Sequence, residues 1–260
     1  MAMGRLAFIT GASSGIGQAL AWQAYQAGHD LALVARRVPL MQEWARAAGL
    51  DPARYRLYPA DVGDIDSIVA AGRACLAQQG VPDVVVANAG ISIGMDTAER
   101  ADLDVMARTL AVNNTGLAAT FHPFIDAMRA RRSGRLVGVA SVAGIRGLPG
   151  HGAYCASKAG VISYCESLRG ELRGSGVRVV TLAPGYIDTP LTRQNRYAMP
   201  FLMAPEAFAA RAWHAIEAGV SYRVIPWQMG VAARLLRVLP DALFDRLLAG
   251  RPRKHRAGER

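Results

Sequence analysis

A tyrosine and a lysine four residues apart, Tyr154 and Lys158, lie thirteen and seventeen residues after Ser141, and these three side chains are the best suited to acid–base chemistry in the sequence. Residues at i and i+4 share one face of a helix, so the spacing predicts a phenol beside an ammonium. A free phenol has a pKa of about 10, and a neighbouring cation lowers it. A shift of about 3 units needs roughly 4 kcal/mol and would give a tyrosine that exchanges protons near pH 7.

Lysine is scarce in this chain, which has 30 basic residues but only two lysines, Lys158 and Lys254. Because Lys254 falls in a basic C-terminal stretch, we expect Lys158 to be the only lysine of the folded body. A compact ammonium and a planar guanidinium are not interchangeable, so a lysine retained at 158 favours a specific role. Surface Tyr–Lys pairs with this spacing are common on helices. The pair therefore indicates catalysis only in combination with the other motifs of the sequence.

Bulk composition favours one α/β domain. The 260 residues are 52% apolar, and no linker or repeat divides them, so we predict a main domain over 1–227 and a helical extension of that domain over 228–260. The first apolar run is too short for a signal peptide. The sequence has no run of 18 apolar residues, so a membrane-spanning helix is not predicted. Three cysteines without metal-ligand spacing favour a reduced, cytoplasmic protein.

Strand-like and helix-like segments alternate along the chain. The strands are short, almost continuously apolar runs, as expected when helices cover both faces of a sheet. This alternation predicts a doubly wound parallel sheet whose ligands bind beyond the carboxyl ends of the strands. The predicted strands are 6–10, 31–35, 54–58, 83–87, 135–140, 177–183 and 222–225, and two long helices are predicted over 102–131 and 152–173.

A glycine-rich turn follows the first strand and opens the first helix. Glycines allow a backbone to turn tightly and to approach a pyrophosphate, and a helix N-terminus offers free N–H groups to it. The three-residue gap after the first glycine differs from the usual dinucleotide pattern, so only the strand–turn–helix context gives the motif weight. The candidate cofactor residues here are Gly11, Ser13, Ser14, Gly15, Ile16 and Gly17.

The end of the second strand bears on the choice of cofactor. An acidic residue there would bind the ribose 2′-hydroxyl of NAD, whereas arginine accommodates the 2′-phosphate of NADP. The sequence has Arg36 and Arg37 at this position, which favours NADP(H), with solvated loop arginines as the alternative. Asp61 follows the third strand, where its carboxylate could accept from an adenine amino group or cap a turn.

These motifs together resemble the short-chain dehydrogenase/reductase family over roughly residues 4–190. The match rests on seven motifs in order: Thr10–Gly17, Asp61-Val62, Asn88-Ala89-Gly90, Val112-Asn113, Ser141, Tyr154 with Lys158, and Pro184-Gly185. The resemblance implies a Rossmann-like fold. Ala87 departs from the pattern, because many members have a second asparagine there.

The resemblance also implies roles for single residues. Tyr154 would be the acid in reduction and the base in oxidation, and Ser141 would bind the substrate carbonyl. Lys158 would bind the nicotinamide ribose, and Asn113 would hold a water that links Lys158 to solvent; its neighbour Asn114 is the alternative candidate. Residues expected to line the cofactor include Val62, Asn88, Ala89, Gly90, Pro184, Gly185, Ile187 and Thr189.

The segment after Thr189 falls where the substrate loop of the family lies. It is rich in apolar side chains, which favours a lipid-like, steroid-like or aryl ketone. Two arginines, Arg193 and Arg196, are either solvated or able to hold an acidic group. The predicted apolar lining is Met95, Leu148, Leu191, Tyr197, Met199, Phe201, Leu202 and Met203.

The C-terminal stretch is the most basic part of the chain. Residues 228–260 carry eight Arg or Lys against three Asp or Glu, which is half of the net charge of +10. Two short amphipathic helices are predicted there, and the basic run over 229–256 would either cap the substrate pocket, contact a membrane surface peripherally or form a subunit interface.

The sequence therefore predicts a cytoplasmic, NADP(H)-dependent carbonyl reductase, reversible as an alcohol dehydrogenase, acting on an apolar small molecule and forming a homodimer or homotetramer. The mild charge of the body does not call for nucleic acid as a partner. A binding protein without turnover is the main alternative, although it would not need the Ser141, Tyr154 and Lys158 set. An epimerase or dehydratase would need a larger domain after the sixth strand.

Overall fold

We describe a computed structural model of the chain, which covers residues 4–195, 197–250 and 253–256. Its centre is a seven-stranded, entirely parallel sheet in the order β3-β2-β1-β4-β5-β6-β7. The strands are β1 (Leu6–Thr10), β2 (Asp30–Ala35), β3 (Tyr55–Pro59), β4 (Val84–Ala87), β5 (Gly134–Val139), β6 (Val177–Pro184) and β7 (Tyr222–Ile225). The predicted doubly wound α/β fold is confirmed, and each strand lies within two residues of its predicted position.

Helices cover both faces of the sheet. They are α1 (Gly15–Gln26), α2 (Val38–Ala47), α3 (Ile65–Gln79), α4 (Arg100–Leu110), α5 (Gly116–Arg131), α6 (Gly152–Glu171), α7 (Pro205–Ala218), α8 (Trp227–Val238) and α9 (Asp241–Leu248). One core packs α1, α2 and α7 against the sheet, and the other packs α3, α5 and α6. Alternate residues of each strand point into one core or the other, which explains why the strands are apolar throughout.

The strand order reverses between β1 and β4. From β1 the chain winds outward through β2 to β3, then crosses back to β4 and winds the other way to β7. The loops after β1 and β4 therefore leave in opposite directions and open a cleft at the carboxyl edge of the sheet. No helix among the described residues is long and apolar enough to cross a membrane.

The helix predicted over 102–131 is interrupted by a turn of π-helix. Residues Ala111–Thr115 join α4 to α5 with this wider winding. Gly116 follows directly, and a Cβ there would lie 2.1 Å from the Val62 carbonyl oxygen, so only glycine allows the helix to approach the loop after β3 so closely. The π turn carries Asn113, one of the predicted site residues.

The basic C-terminal segment folds back onto the body. The Gly94 amide donates to the His255 carbonyl at 2.9 Å, and residues 94 and 256 form a parallel bridge. Arg146 reaches α8 and α9, where it donates to the carbonyls of Leu236 and Leu239 and to the Asp241 carboxylate. Lys254 is partly buried in this segment, so the expectation that Lys158 is the only lysine of the folded body is wrong.

Gly94→Ala should detach residues 253–256 from the body. The added Cβ would lie 2.2 Å from the Lys254 carbonyl oxygen and 2.5 Å from that of His255. We expect limited trypsin digestion, followed by mass spectrometry, to cut the variant within 253–256 at least about tenfold faster than the parent, because proteolysis follows the opened fraction. Gly147→Ala is the matched control, since its Cβ would meet nothing within 4 Å. Equal cleavage of Gly94→Ala and the control would contradict this packing.

Candidate active site

The cleft between the loops after β1 and β4 has a volume of about 470 Å³, within the usual range of small-molecule sites. Most of the residues predicted to bind cofactor or act in catalysis line it. They are Gly11, Ser13, Ser14, Gly15, Ile16, Arg36, Arg37, Asp61, Val62, Asn88, Ala89, Gly90, Ser141, Tyr154, Lys158, Pro184, Gly185, Ile187 and Thr189. The two exceptions, Gly17 and Asn113, support the lining without forming it.

The glycine-rich loop has a backbone shape that allows an anionic group to approach it closely. Gly11 and Gly15 have positive φ angles of 69° and 55°, which glycine adopts without strain. A Cβ on Gly17 would lie 2.1 Å from the Gly11 carbonyl oxygen, so Gly17 lets the first turn of α1 close against the loop. The N-terminus of α1 opens at Gly15, and its free N–H groups fit a pyrophosphate.

Asn88 holds this loop in place from β4. Its side-chain nitrogen donates to the Thr10 carbonyl at 3.0 Å, and its backbone N–H donates to the Thr10 hydroxyl at 3.0 Å. These bonds tie the end of β4 to the end of β1, where no sheet hydrogen bonds remain. Asn88 thus fixes the spacing of the cleft walls in addition to lining the cleft.

The two arginines after β2 both reach the cleft, but they differ in their partners. Arg37 donates to the Ser13 hydroxyl at 3.1 Å, beside the glycine-rich loop. Arg36 pairs with Asp61 at 3.4 Å, an exposed contact of small energetic value. Although no acidic residue lies near Arg36 in the sequence, the fold supplies one from β3. Asp61 also accepts from the Gly63 amide at 2.9 Å, the turn-capping role considered as its alternative.

Ser141, Tyr154 and Lys158 meet where β5 and α6 approach each other. Ser141 follows β5, and its hydroxyl accepts from the Ala143 amide at 3.1 Å, which fixes its rotamer. Tyr154 forms a side-chain hydrogen bond with Ser141. The Lys158 ammonium is buried on the next turn of α6 and donates to the Val139 carbonyl at 2.8 Å.

The charge state of this trio differs from the expectation. Burial raises the pKa of Tyr154 to about 12, and the hydrogen bond from Ser141 only partly opposes that effect. Burial lowers the pKa of Lys158 to about 8. The Lys158 ammonium lies 5.8 Å from the centre of the Tyr154 ring and is turned to Val139, so the predicted lowering of the tyrosine pKa by Lys158 is wrong for this arrangement. The phenol holds its proton at neutral pH.

Asn113 joins the loop after β4 to α6. Its side-chain nitrogen donates to the Ile91 carbonyl at 3.0 Å and to the Ser157 hydroxyl at 2.9 Å, and its oxygen accepts from the Ile91 amide at 2.8 Å. Its oxygen would also lie 3.1 Å from a Cβ on Gly90, and the Lys158 ammonium 3.5 Å from that Cβ. Asn114 instead donates to the Ser157 carbonyl at 2.9 Å.

The substrate side holds polar groups that sequence reasoning missed. His151, three residues before Tyr154, is buried with Nε2 3.1 Å from the Tyr197 hydroxyl. Burial raises the pKa of Tyr197, and interaction with Tyr154 adds to the rise. The i, i+3 spacing of His151 and Tyr154 was a usable signal, but the pairing with Tyr197 spans 46 residues and needs the fold.

The predicted apolar lining is only partly assembled. Met95 is buried, with its sulfur 3.1 Å from the Ala153 amide, and Leu191 lines the cleft. Phe201 and Leu202 are exposed, whereas Met203 packs on the core. Arg193 pairs with Asp188 at 2.7 Å, while Arg196 lies outside the described residues. Arg108 of α4 also lines the cleft and was not predicted.

The residues that the structure describes contain no cluster of His, Cys, Asp or Glu suited to a metal ion. A glycine cradle at the carboxyl edge of a doubly wound sheet, facing a Ser141, Tyr154 and Lys158 set, defines the class of Rossmann-fold oxidoreductases.

Comparison with known proteins gives the family. A model described as short chain dehydrogenase matches residues 5–199. An uncharacterized oxidoreductase of Myxococcus xanthus is 41% identical over 244 residues, which is 93% of this chain and 95% of that protein. The chain belongs to the short-chain dehydrogenase/reductase family and is an oxidoreductase.

Solved structures agree with the fold. A short-chain dehydrogenase/reductase from Burkholderia phymatum in complex with NAD has a TM-score of 0.82 at 24% identity, with 96% of each chain covered. An alcohol dehydrogenase from the archaeon Thermococcus sibiricus complexed with 5-hydroxy-NADP has a TM-score of 0.75 at 26% identity, covering 85% of this chain and 95% of that one. The family uses nicotinamide cofactors, and these two relatives differ in the one they hold.

Tyr154→Phe should abolish most turnover while leaving cofactor binding intact. The ring remains, but the proton that the phenol supplies is lost, so we expect kcat to fall by ~10² or more. Lys158→Arg, which keeps the charge but changes its shape, should impair both turnover and cofactor affinity. Steady-state kinetics and fluorescence titration measure the two effects. Tyr164→Phe, on the same helix but outside the cleft, is the control; a Tyr154→Phe enzyme within a few-fold of the parent would exclude the role.

Proposed function

We propose that this protein reduces a carbonyl compound to an alcohol with NADPH, and runs the reverse oxidation. The observation that carries the proposal is the protonated Tyr154 beside Ser141 at the end of the cleft. Burial raises the pKa of Tyr154 to about 12, so the phenol carries its proton at neutral pH and can donate it to a carbonyl oxygen during reduction. A binding protein without turnover would gain nothing from this arrangement.

The cofactor fits the residues present. The positive φ angles of Gly11 and Gly15 leave the backbone N–H groups of the loop free for a pyrophosphate, and a Cβ on Gly15 would meet Thr189 at 3.0 Å. Lys158 has donors left after its bond to Val139, and we assign them to the nicotinamide ribose. Pro184, Gly185, Ile187 and Thr189 would hold the carboxamide end. When bound, the nicotinamide supplies or removes the hydride.

The protein residues manage the proton and the developing charge. As the carbonyl oxygen gains negative charge, the Ser141 hydroxyl donates to it and the Tyr154 hydroxyl transfers its proton. Lys158 donates to the Val139 carbonyl, so the Ser141 hydroxyl, whose hydrogen bond lowers the pKa of Tyr154, is the group beside the phenolate that remains. Asn113 bonds to both Ile91 and Ser157. It therefore holds the loop that carries Gly90 against the part of α6 that carries Lys158. The phenolate recovers its proton before the next cycle.

The choice of NADPH rests on Arg36 and Arg37. Both line the cleft at the end of β2, where the 2′ position of the adenosine ribose lies in folds of this class. Among the residues that the structure describes, Arg37 bonds to the neutral Ser13 hydroxyl and Arg36 to Asp61 in an exposed pair, so both guanidiniums can turn to a phosphate. Asp61 does not follow β2 and therefore does not replace the acidic residue typical of NAD sites.

The substrate, location and assembly belong to the same proposal. Met95 and Leu191 support an apolar substrate, and the three free, buried cysteines support a reduced, cytoplasmic setting. The contacts of Arg146 and of residues 253–256 favour the capping role for the C-terminal segment over peripheral membrane contact. The exposed Trp227, Val231, Leu235 and Val238 face of α8 supports a subunit contact in a homodimer or homotetramer.

A panel of ketones, aldehydes and 3-keto lipids, assayed by NADPH oxidation, tests the activity. Because Tyr154 is fully protonated well below its pKa of about 12, kcat for reduction should change little from pH 6 to 8. The reverse oxidation needs the phenolate, whose fraction grows ~tenfold per pH unit in that range, so kcat for oxidation should rise steeply up to pH 9. No turnover with any member of the panel would refute the proposal, and oxidation that is flat with pH would refute the role of Tyr154.

Replacing Arg36 and Arg37 by methionine should weaken NADPH binding selectively. Each charge-assisted contact to the 2′-phosphate contributes ~1.5–3 kcal/mol, so each single variant should raise the Kd for NADPH by ~10–100-fold and leave NADH nearly unchanged. Fluorescence titration with both cofactors gives the values. Arg46→Met, exposed in the last turn of α2 and outside the cleft, controls for net charge. A parent protein that binds NADH as tightly as NADPH would rule out the assignment.

A further inference from the structure

Residues 253–256 dock on the loop that follows β4. They run beside Ser92–Gly94, which follow the Gly90 wall at the end of β4. A Cβ on Gly90 would lie 3.5 Å from the Lys158 ammonium, and two extended residues span at most about 7 Å. Ser92, the hydrogen-bond partner of Lys254, therefore lies within about 10 Å of the Lys158 ammonium.

Lys254 is the unusual cation of this segment. Its ammonium donates to the Ser92 hydroxyl at 2.9 Å and is partly buried, yet it forms no ion pair with any residue that the structure describes. Arg256, two residues later, pairs with Asp102 at 2.6 Å and with Glu99 at 3.6 Å. Asp102 and Glu99 thus pair with Arg256, and these ion pairs hold the segment in place. Partial burial removes some of the water around this ammonium, and an anion would offset the cost of that lost hydration.

A second polar group near Lys254 is the His151 imidazole. The charge of Lys254 reaches His151, whose pKa is lowered by burial and by Lys254. The Nδ1 atom of His151 lies 3.1 Å from the Pro149 carbonyl, which can only accept, so Nδ1 carries the hydrogen. In the neutral ring, Nε2 then accepts from the Tyr197 hydroxyl. His151 is thus close enough to Lys254 to respond to its charge, and its partner Tyr197 responds to Tyr154.

We propose that Lys254 binds an anionic group, a carboxylate or a phosphate, carried by the substrate at the end remote from the reducible carbonyl. This inference rests on the proposed reductase function and adds a substrate class to it: an apolar carbonyl compound with one terminal anion. The apolar Met95 packs against Ala153, the residue before Tyr154, and the separation suits a chain or ring system on the order of 10 Å long. A single ammonium distinguishes such a compound from its neutral ester or alcohol.

Binding of short amphiphiles tests the site without turnover. Octanoate, octyl phosphate and the neutral methyl octanoate are titrated by calorimetry into the parent protein and into Lys254→Met, which keeps the length of the side chain. We expect the variant to bind one or both anions ~10–100-fold more weakly and the ester unchanged. The relative loss for octanoate and octyl phosphate tells which anion the site takes. Arg253→Met, which removes an exposed charge from the neighbouring residue, is the matched control.

Kinetics on a substrate pair provides the second arm. For a keto acid and its methyl ester, Lys254→Met should lower kcat/KM for the acid by ~10-fold or more, through KM, and leave the ester within about twofold. Equal losses in Lys254→Met and Arg253→Met, or anion binding within twofold of the parent in Lys254→Met, would overturn the proposal. If one of these contradicting outcomes is found and the ester is still reduced normally, only this inference fails. If no carbonyl compound is reduced at all, the proposed function itself fails, and the binding arm still decides the role of Lys254.

Discussion

The hydrogen bonds of one buried amide, Asn113, hold the catalytic end of the cleft together. They join the backbone of Ile91 after β4 to the Ser157 hydroxyl on α6, and Ser157 in turn donates to the Tyr154 carbonyl. A buried polar network of this kind specifies a unique arrangement only when each member is satisfied. The π turn makes it possible, because its wider winding brings the Asn113 side chain to both partners at once.

The Tyr154 and Lys158 pair shows how a common spacing acquires a specific chemistry. On an exposed helix the two groups would be solvated, and both would keep ordinary pKa values. Here the sheet and the Val139 carbonyl bury Lys158, which lowers its pKa to about 8, while burial raises the pKa of Tyr154 to about 12. The two shifts have opposite signs, as desolvation requires for a base that is charged when protonated and an acid that is neutral when protonated. At neutral pH the phenol therefore keeps its proton, and the Lys158 ammonium loses its proton more easily than a solvated lysine does.

Much of this molecule follows from local sequence rules, and the exceptions share a physical origin. Strands, helices and the glycine-rich loop depend on short-range periodicity and turn chemistry, so their positions were predictable to within a few residues. The π turn at Ala111–Thr115 was not, since its apolar pattern is that of an ordinary helix. The Arg36 and Asp61 pair, the His151 and Tyr197 pair and the docking of Lys254 on Ser92 bring together residues 25, 46 and 162 positions apart. Such contacts depend on the assembled fold. The direction of the Lys158 side chain, which donates to the Val139 carbonyl, depends on the assembled fold in the same way.

The docking of residues 253–256 beside Gly94 has a consequence for the order of events during synthesis. The residues that line the cofactor cleft run from Gly11 to Thr192, whereas Lys254 reaches Ser92 across 162 positions of chain. At typical ribosomal rates of about 5–20 residues per second, Lys254 is translated roughly 10–30 s after Ser92. A nascent chain can therefore assemble the cleft first and dock residues 253–256 beside Gly94 last.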